Sequence, residues 1–270
     1  MVELFEQDMI SLDRQSSKGN QLKWKNGDIW YKTDSVGYEG LSEYIISHLL
    51  KFSNLKEDEY VIYNPQQIKY KKQIYNGVSS NNFLNGGFKV ITLERLFKNY
   101  YGKSLHSAIW EIKDHEERLK FLVEQVEKIT KIKNFGKYMN KVLTIDGFFL
   151  NEDRHTHNIA VLIDDKDNYK LCPIFDNGAS LLSDTKMDYP LGEDIYKLIE
   201  GVKGKTFSFD LEEQMLLSDK LYGQNIVFNF NHKDVEDLFE CEELKIYSSL
   251  EKDRVKKIIF EQMRKYKYLF

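Results

Sequence analysis

The sequence predicts an α+β protein, with a smaller sheet-containing amino-terminal part and a mainly helical carboxy-terminal part. Three observations predict it. Short β-type runs at 29–33, 60–63 and 74–78 surround a single helical pattern at 38–50 in the first third of the chain. From Thr92 onward, helical spacings dominate. A polar loop and a strand pair at 151–175 interrupt them. The division falls near residue 91, giving segments 1–91 and 92–270.

The amino-terminal elements follow in order. Ser16-Ser17-Lys18-Gly19-Asn20 is a small-residue polar turn between more apolar segments. Ile29-Trp30-Tyr31-Lys32-Thr33 reads as a strand. The helix expected at 38–50 has an apolar face of Leu41, Tyr44, Ile45, Leu49 and Leu50, and carries Glu39 and Glu43 four residues apart on one side. Tyr60-Val61-Ile62-Tyr63 reads as the next strand, ending at Asn64-Pro65, and 74–78 as another. Leu93, Leu96, Phe97 and Tyr100 then open the helical part.

Within that part, Met139, Val142, Leu143, Phe149 and Leu150 mark a buried helix at 137–150. It stops at the polar stretch Asn151-Glu152-Asp153-Arg154-His155-Thr156-His157-Asn158. Ile159-Ala160-Val161-Leu162-Ile163 reads as a strand, 164–168 as a turn, and 169–175 as the returning strand, which delivers Asp176-Asn177-Gly178. An acid, an amide five residues on, and a second acid after a hairpin form the set used in kinase-type phosphoryl transfer. One carboxylate accepts the proton of the attacking hydroxyl, while the amide and the later carboxylate hold divalent metal on the nucleotide phosphates. Mg²⁺ suits that pair, because it favours oxygen ligands and keeps several waters. Two rival readings stand beside this one. The loop and the Asp-Asn-Gly turn could be ordinary turn chemistry, or Asp153, His155, His157 and Asp176 could ligate a transition metal in a hydrolase.

The pattern N-x-D-R-H-x-x-N, followed by a strand pair and D-N-G, resembles the HipA-type serine/threonine kinases, and more closely their compact CtkA-like relatives. The aspartate precedes Arg-His, as in the HipA order, whereas eukaryotic protein kinases place His-Arg before it. The resemblance implies a two-lobed protein-kinase-like fold, with 1–91 as the amino-terminal lobe and 92–270 as the carboxy-terminal lobe. It implies Asp153 as the catalytic base, and Asn158 and Asp176 as the Mg²⁺ ligands. Ser17, Lys18, Gly19 and Asn20 match the loop covering the ATP phosphates, and Lys32 matches the phosphate-binding lysine. A helix glutamate holds that lysine in the family. Glu43-Tyr44 resembles the family's acid–aromatic pair, with Glu39 as the alternative. ATP and Mg²⁺ follow as cofactors, and serine or threonine of a protein, the chain itself included, as the acceptor. Ser180 and Ser183 are near enough in sequence to be candidate acceptors. The chain has no obvious room for the extra amino-terminal subdomain of full-length HipA, which puts a HipB-like antitoxin partner in doubt.

Composition bounds the alternatives. A chain of 270 residues that is 41% hydrophobic and 14% aromatic can bury a sizeable core. A net charge of −4 gives no general attraction to nucleic acid or anionic membrane. No apolar run approaches the ~20 residues of a membrane span, and the amino terminus lacks a signal peptide's basic start and apolar core. Cys172 and Cys241 are too few for a disulfide scaffold or a zinc ribbon, and Cys172 is expected to be a buried thiol. A cytoplasmic enzyme is expected, with export by routes lacking a signal peptide left open. A small-molecule kinase, a metal-dependent hydrolase and a catalytically silent nucleotide-binding module remain as other functions. Asp146 either hydrogen-bonds the 151–158 loop or lies partly exposed, and Arg154 either orients that loop or lies at the surface. His155 is expected to pack or hydrogen-bond beneath it. The stretch 183–214, with Lys203-Gly204-Lys205, reads as an exposed loop, and 246–270 as a core-packing helix.

Overall fold

The computed structural model describes residues 1–10, 21–84 and 86–270. Its strands are β1 (Val2–Leu4), β2 (Lys23–Asn26), β3 (Ile29–Thr33), β4 (Asn64–Pro65), β5 (Ile68–Tyr70), β6 (Gln73–Tyr75), β7 (Gly77–Asn81), β8 (Lys89–Thr92), β9 (Ala160–Ile163) and β10 (Tyr169–Leu171). Its helices are α1 (Glu39–Leu49), α2 (Leu93–Tyr101), α3 (Leu105–Trp110), α4 (His115–Thr130), α5 (Phe135–Phe149), α6 (Ile195–Gly201), α7 (Leu211–Tyr222), α8 (His232–Phe239) and α9 (Ser249–Lys265). The chain folds as two compact units that interleave in sequence. The first takes Met1–Asn82, Asp176–Gly201 and Phe228–Phe270, and the second Phe83–Phe175 and Val202–Val227.

In the first unit, β2, β3, β7 and β4 form an antiparallel sheet in that order, and a second, mixed sheet pairs β1 parallel to β5 and β5 antiparallel to β6. The β2–β3 hairpin turns at Gly27, whose φ of +59° suits a residue without Cβ. Leu4, Trp24, Tyr31, Ile68 and Tyr70 bury their side chains together from both sheets, with Trp24 edge-on to Tyr70. Helix α1 packs on β3, β4 and β7. Gly77 lets β7 approach β3 closely, because a Cβ there would meet the Lys32 carbonyl oxygen at 2.1 Å.

Three elements differ from expectation, each for a local reason. Tyr60, Val61 and Tyr63 are buried, but strand pairing starts only at β4. The backbone of Tyr63 is taken up by α1 instead: its N–H donates to Ser47 Oγ at 3.2 Å, and its carbonyl lies 3.2 Å from His48 Nε2. The strand expected at 74–78 splits into β6 and β7 in separate sheets. Between them Asn76 is diverted, its carbonyl accepting from Asp34 N–H and its Nδ2 donating to the carbonyl of Ile246. The final helix starts at Ser249, where Ser248 and Glu251 form a capping box. Its Val255, Ile258, Ile259 and Met263 are buried as expected.

The second unit packs α2, α3, α4, α5 and α7 together and adds the antiparallel sheet β8–β9–β10. The β9–β10 hairpin lies where the sequence places it. The returning strand is short because Pro173, two residues after β10, has no N–H for the ladder. Ala160, Leu162 and Cys172 form a core here with Phe83, Phe88 and Phe175 around it. Burial pushes the Cys172 thiol up to about 12, consistent with an inert packing residue. Among the described residues, no helix is long and apolar enough to cross a membrane.

Candidate active site

In the first unit, strand pairing and one helix position a cation. Lys32 sits in β3 between β2 and β7, so its backbone is fixed on both sides. Its Nζ donates to Glu43 Oε1 at 2.8 Å and to Asp176 Oδ1 at 2.6 Å. Tyr63 completes the surroundings, with its hydroxyl 3.5 Å and its ring centroid 5.0 Å from the ammonium. The Lys32 side chain is 14% exposed, Glu43 2% and Asp176 23%, so the ion pairs are shielded but Asp176 keeps access to water. Burial alone would lower the Lys32 pKa. The charges of Asp176 and Glu43 outweigh it and hold the ammonium well above the usual lysine range.

Helix α1 also holds the segment that carries Asp176. Glu43 Oε2 accepts the N–H of Asn177 at 3.0 Å, so one carboxylate ties Lys32 to the Asp-Asn-Gly turn. Tyr38 Oη donates to the carbonyl of Leu181 at 2.7 Å, and Ser42 Oγ to that of Ser180 at 3.0 Å. Asp176 itself has φ +62°, a left-handed conformation that Asp tolerates better than most residues. Glu39 plays a different part. It accepts the N–H groups of Ser35, Val36 and Gly37 at 2.8–3.0 Å, folding the preceding loop over the helix start.

In the second unit, α5 ends at Leu150 in the left-handed conformation and delivers the polar loop. Asn151 Oδ1 accepts the N–H of Asp153 at 3.1 Å, and its Nδ2 donates to Asp146 Oδ1 at 2.9 Å. Arg154 is buried, and its Nε and Nη2 meet both Asp146 oxygens at 2.9–3.2 Å. Burial pushes Asp146 upward, while the Arg154 charge and hydrogen bonds oppose it. The remaining Arg154 nitrogen donates to the carbonyls of Asn158 at 3.0 Å and Phe175 at 2.7 Å. Asn158 Nδ2 donates to the Asp153 carbonyl at 2.9 Å, which orients its amide across the loop. Glu94 fastens the far side. It accepts Thr156 Oγ1 at 2.9 Å together with the N–H groups of Leu105 and His106. Burial would raise the Glu94 pKa, but the hydrogen bonds from Ser104, His106 and Thr156 keep it below the usual range.

Of the residues named from sequence, Lys32, Glu43 and Asp176 come together in one unit, and Asp153 and Asn158 in the other. Glu43 is the partner of Lys32. Ser17, Lys18, Gly19 and Asn20 lie outside the described residues. Asp146 and Arg154 take the loop-holding alternative. His155 takes the hydrogen-bonding alternative, its Nδ1 accepting the N–H of His157 at 3.2 Å, and its Nε2 lies 3.8 Å from Asp153 Oδ2. Ser180 and Ser183 are buried, and Ser183 Oγ donates to the Gly178 carbonyl, so both serve packing and not acceptance of phosphate in this conformation. The exposed loop expected at 183–214 instead contains α6 and the start of α7, and is partly buried. Gly204, Thr206, Phe207 and Ser208 are withdrawn from water, and Lys205 Nζ lies 2.5 Å from Asp153 Oδ1. Tyr63, Glu94 and Lys205 carried no local sequence signal of these roles. Among the described residues, no three His, Cys, Asp or Glu side chains converge as a metal site, whereas an Asn and Asp pair on a metal–nucleotide complex needs no such cluster.

No family profile matches the sequence, and no curated protein does. Among solved structures, 18 chains match. The crystal structure of the Helicobacter pylori proinflammatory kinase CtkA aligns with a TM-score of 0.63, covering 99% of this chain and 96% of that one at 14% identity. A chain of the Shewanella oneidensis MR-1 toxin–antitoxin complex of HipA, HipB and operator DNA aligns with a TM-score of 0.46, covering 93% of this chain and 65% of that one at 13% identity. The first alignment establishes the fold: this chain has the α+β kinase-like fold of CtkA, in agreement with the resemblance drawn from its motifs.

Proposed function

We propose that the protein is a kinase that transfers the γ-phosphoryl group of ATP to serine or threonine hydroxyls of a protein, with Mg²⁺. The observation that carries this reading is Lys32, a shielded ammonium fixed by Glu43 and Asp176. A cation held in place by two carboxylates is preorganised for phosphate oxygens, whereas a solvated lysine must first be ordered.

Asp153 is the base in this reading. The acceptor oxygen bonds to the γ-phosphorus, the bond from that phosphorus to the bridging oxygen breaks, and ADP leaves with the electron pair. The hydroxyl proton goes to Asp153. Asn151, Arg154 and Asp146 keep the loop in place, so the chemical step needs little reorganisation. The donor chemistry fits Mg²⁺: Asp176 offers carboxylate oxygens, and Asn158, its Nδ2 committed to the Asp153 carbonyl, offers its Oδ1. Mg²⁺ held there would neutralise charge on the transferring phosphates. Residues 17–20 are proposed to cover the phosphates, and 1–91 and 92–270 to act as the two lobes.

The test is transfer from γ-labelled ATP, with Mg²⁺, to the protein itself and to a generic protein acceptor. Wild type is compared with Asp153→Ala, Asp176→Ala and Lys32→Ala. Label on serine or threonine that all three changes abolish supports the reading. ATP turnover without protein labelling would move the acceptor to a small molecule, and absence of ATP binding would end the kinase reading.

A further inference from the structure

We infer that Lys205 is a further catalytic residue, one that leaves Asp153 to meet the γ-phosphoryl group during transfer. The inference rests on the kinase reading above and adds a residue to it.

The starting observation is the ion pair between Lys205 Nζ and Asp153 Oδ1 at 2.5 Å. The loop presenting Lys205 is anchored on both sides of it. Thr206 Oγ1 donates to the carbonyl of Arg154 at 2.9 Å, joining the loop to the residue beside Asp153. Arg118 Nη1 donates to the carbonyl of Phe207 at 2.9 Å, and the Phe207 ring is fully buried. On the other flank, the N–H of Gly204 donates to the carbonyl of Phe209 at 2.7 Å, and Gln214 Nε2 to that of Ser208 at 2.9 Å. The backbone is therefore held close to Asp153, while the Lys205 side chain remains 35% exposed.

A purely structural ion pair would conflict with the role of Asp153. The ammonium on Oδ1 and the hydroxyl proton are two positive charges drawn to one carboxylate, so transfer is favoured when Lys205 shifts off Oδ1 as the proton arrives. The nearest new charge is then the nucleotide's terminal phosphate, which has to lie within reach of an acceptor hydroxyl bonded to Asp153. Once Asp153 takes the hydroxyl proton, its hold on Lys205 weakens further, and the ammonium follows the negative charge onto the phosphoryl oxygens. No proton or electron beyond those of the transfer is required. The lysine acts as a movable counter-charge on a fixed backbone.

The γ-acyl phosphate of ATP tests this on the unmodified protein. An amine within reach of the γ-phosphate attacks the acyl carbon, forms an amide and releases ATP, and mass spectrometry locates the modified lysine. Acylation of both Lys32 and Lys205, suppressed by excess ATP, is the expected result. Acylation of Lys32 without Lys205 overturns the present inference and leaves the kinase reading standing. Acylation of neither overturns the present inference, and absence of any ATP-dependent shift in melting temperature beside it ends the kinase reading as well. In parallel, Lys205→Ala should lower kcat and kcat/KM together by about 10²–10³-fold, as for loss of a contact made in the transition state. Lys205→Arg should restore part of the rate. A Lys205→Ala protein of unchanged melting temperature and undiminished kcat would also overturn it.

Discussion

The guanidinium of Arg154 donates to the carbonyl of Phe175 at 2.7 Å, the residue immediately before Asp176. The same side chain pairs with Asp146 and reaches the carbonyl of Asn158. One buried fork thus sets the course of the polar loop and of the strand end that leads into the Asp-Asn-Gly turn.

Replacing Arg154 by lysine keeps the charge but loses the fork, so the carbonyls of Asn158 and Phe175 and one Asp146 oxygen go without their donors. The expected cost is about 1–3 kcal/mol, the range for leaving buried acceptors without donors. Urea unfolding measures it, and a change below about 1 kcal/mol would show that the fork is dispensable.

Lys32→Met leaves the Glu43 carboxylate, 2% exposed, without its cation. The single change should destabilise by about 3 kcal/mol or more, and phosphoryl transfer should fall by roughly 10²–10³-fold. Adding Glu43→Gln should recover part of the stability and none of the activity. Thermal melts and transfer rates of both singles and the double form the cycle that checks it.

Asp34 gives a pH dependence of defined sign. Burial, then the charge of Glu39, pushes its carboxyl from 3.8 up to about 8, while Oδ1 accepts the N–H of Gly40. In this window the folded protein binds a proton that the unfolded chain releases. The contribution is fully present below pH ~4 and is lost as pH rises toward 8, with a slope of up to about 1.4 kcal/mol per pH unit. Asp34→Asn removes this term. The difference in melting temperature between wild type and variant should therefore change steadily between pH 4 and 8, and a constant difference would refute it.

Ligand linkage offers a check that needs no acceptor. ATP with Mg²⁺ at about 100 times its dissociation constant should stabilise by about 2.7 kcal/mol, or roughly 5–10 °C in melting temperature. Chelation of the metal should remove most of that shift. Asp176→Asn should bind the nucleotide with a reduced response to Mg²⁺.

Gly77→Ala tests how closely the sheet fixes Lys32. The new methyl would meet the Lys32 carbonyl, a backbone atom that cannot turn aside. A loss of about 1–3 kcal/mol is expected, with weaker ATP binding because the strand carrying the lysine must move.

Much of this was legible in the sequence because it is local. Apolar spacing reports which residues leave water, so α1, α5, α9 and the β9–β10 hairpin could be placed from periodicity alone. The Asp153–Asn158 loop followed from where that periodicity stops, and Asp176 from the end of the hairpin. Periodicity is silent about which polar groups meet across the fold. Residues 60–63 look like a strand, but their buried backbone is partly claimed by Ser47 and His48 of α1. Glu39 and Glu43 share one side of a helix, and only tertiary placement sends the first to the N–H groups of 35–37 and the second to Lys32. Lys205 stands 52 residues from Asp153, in a stretch whose charge and glycine read as an exposed loop. The sequence by itself determined α1, α5, α9, the β9–β10 hairpin and the acid–amide–acid motif, since these depend on neighbours along the chain. Only the tertiary structure decided which charges pair, because ion pairing depends on distance and burial that no local pattern encodes.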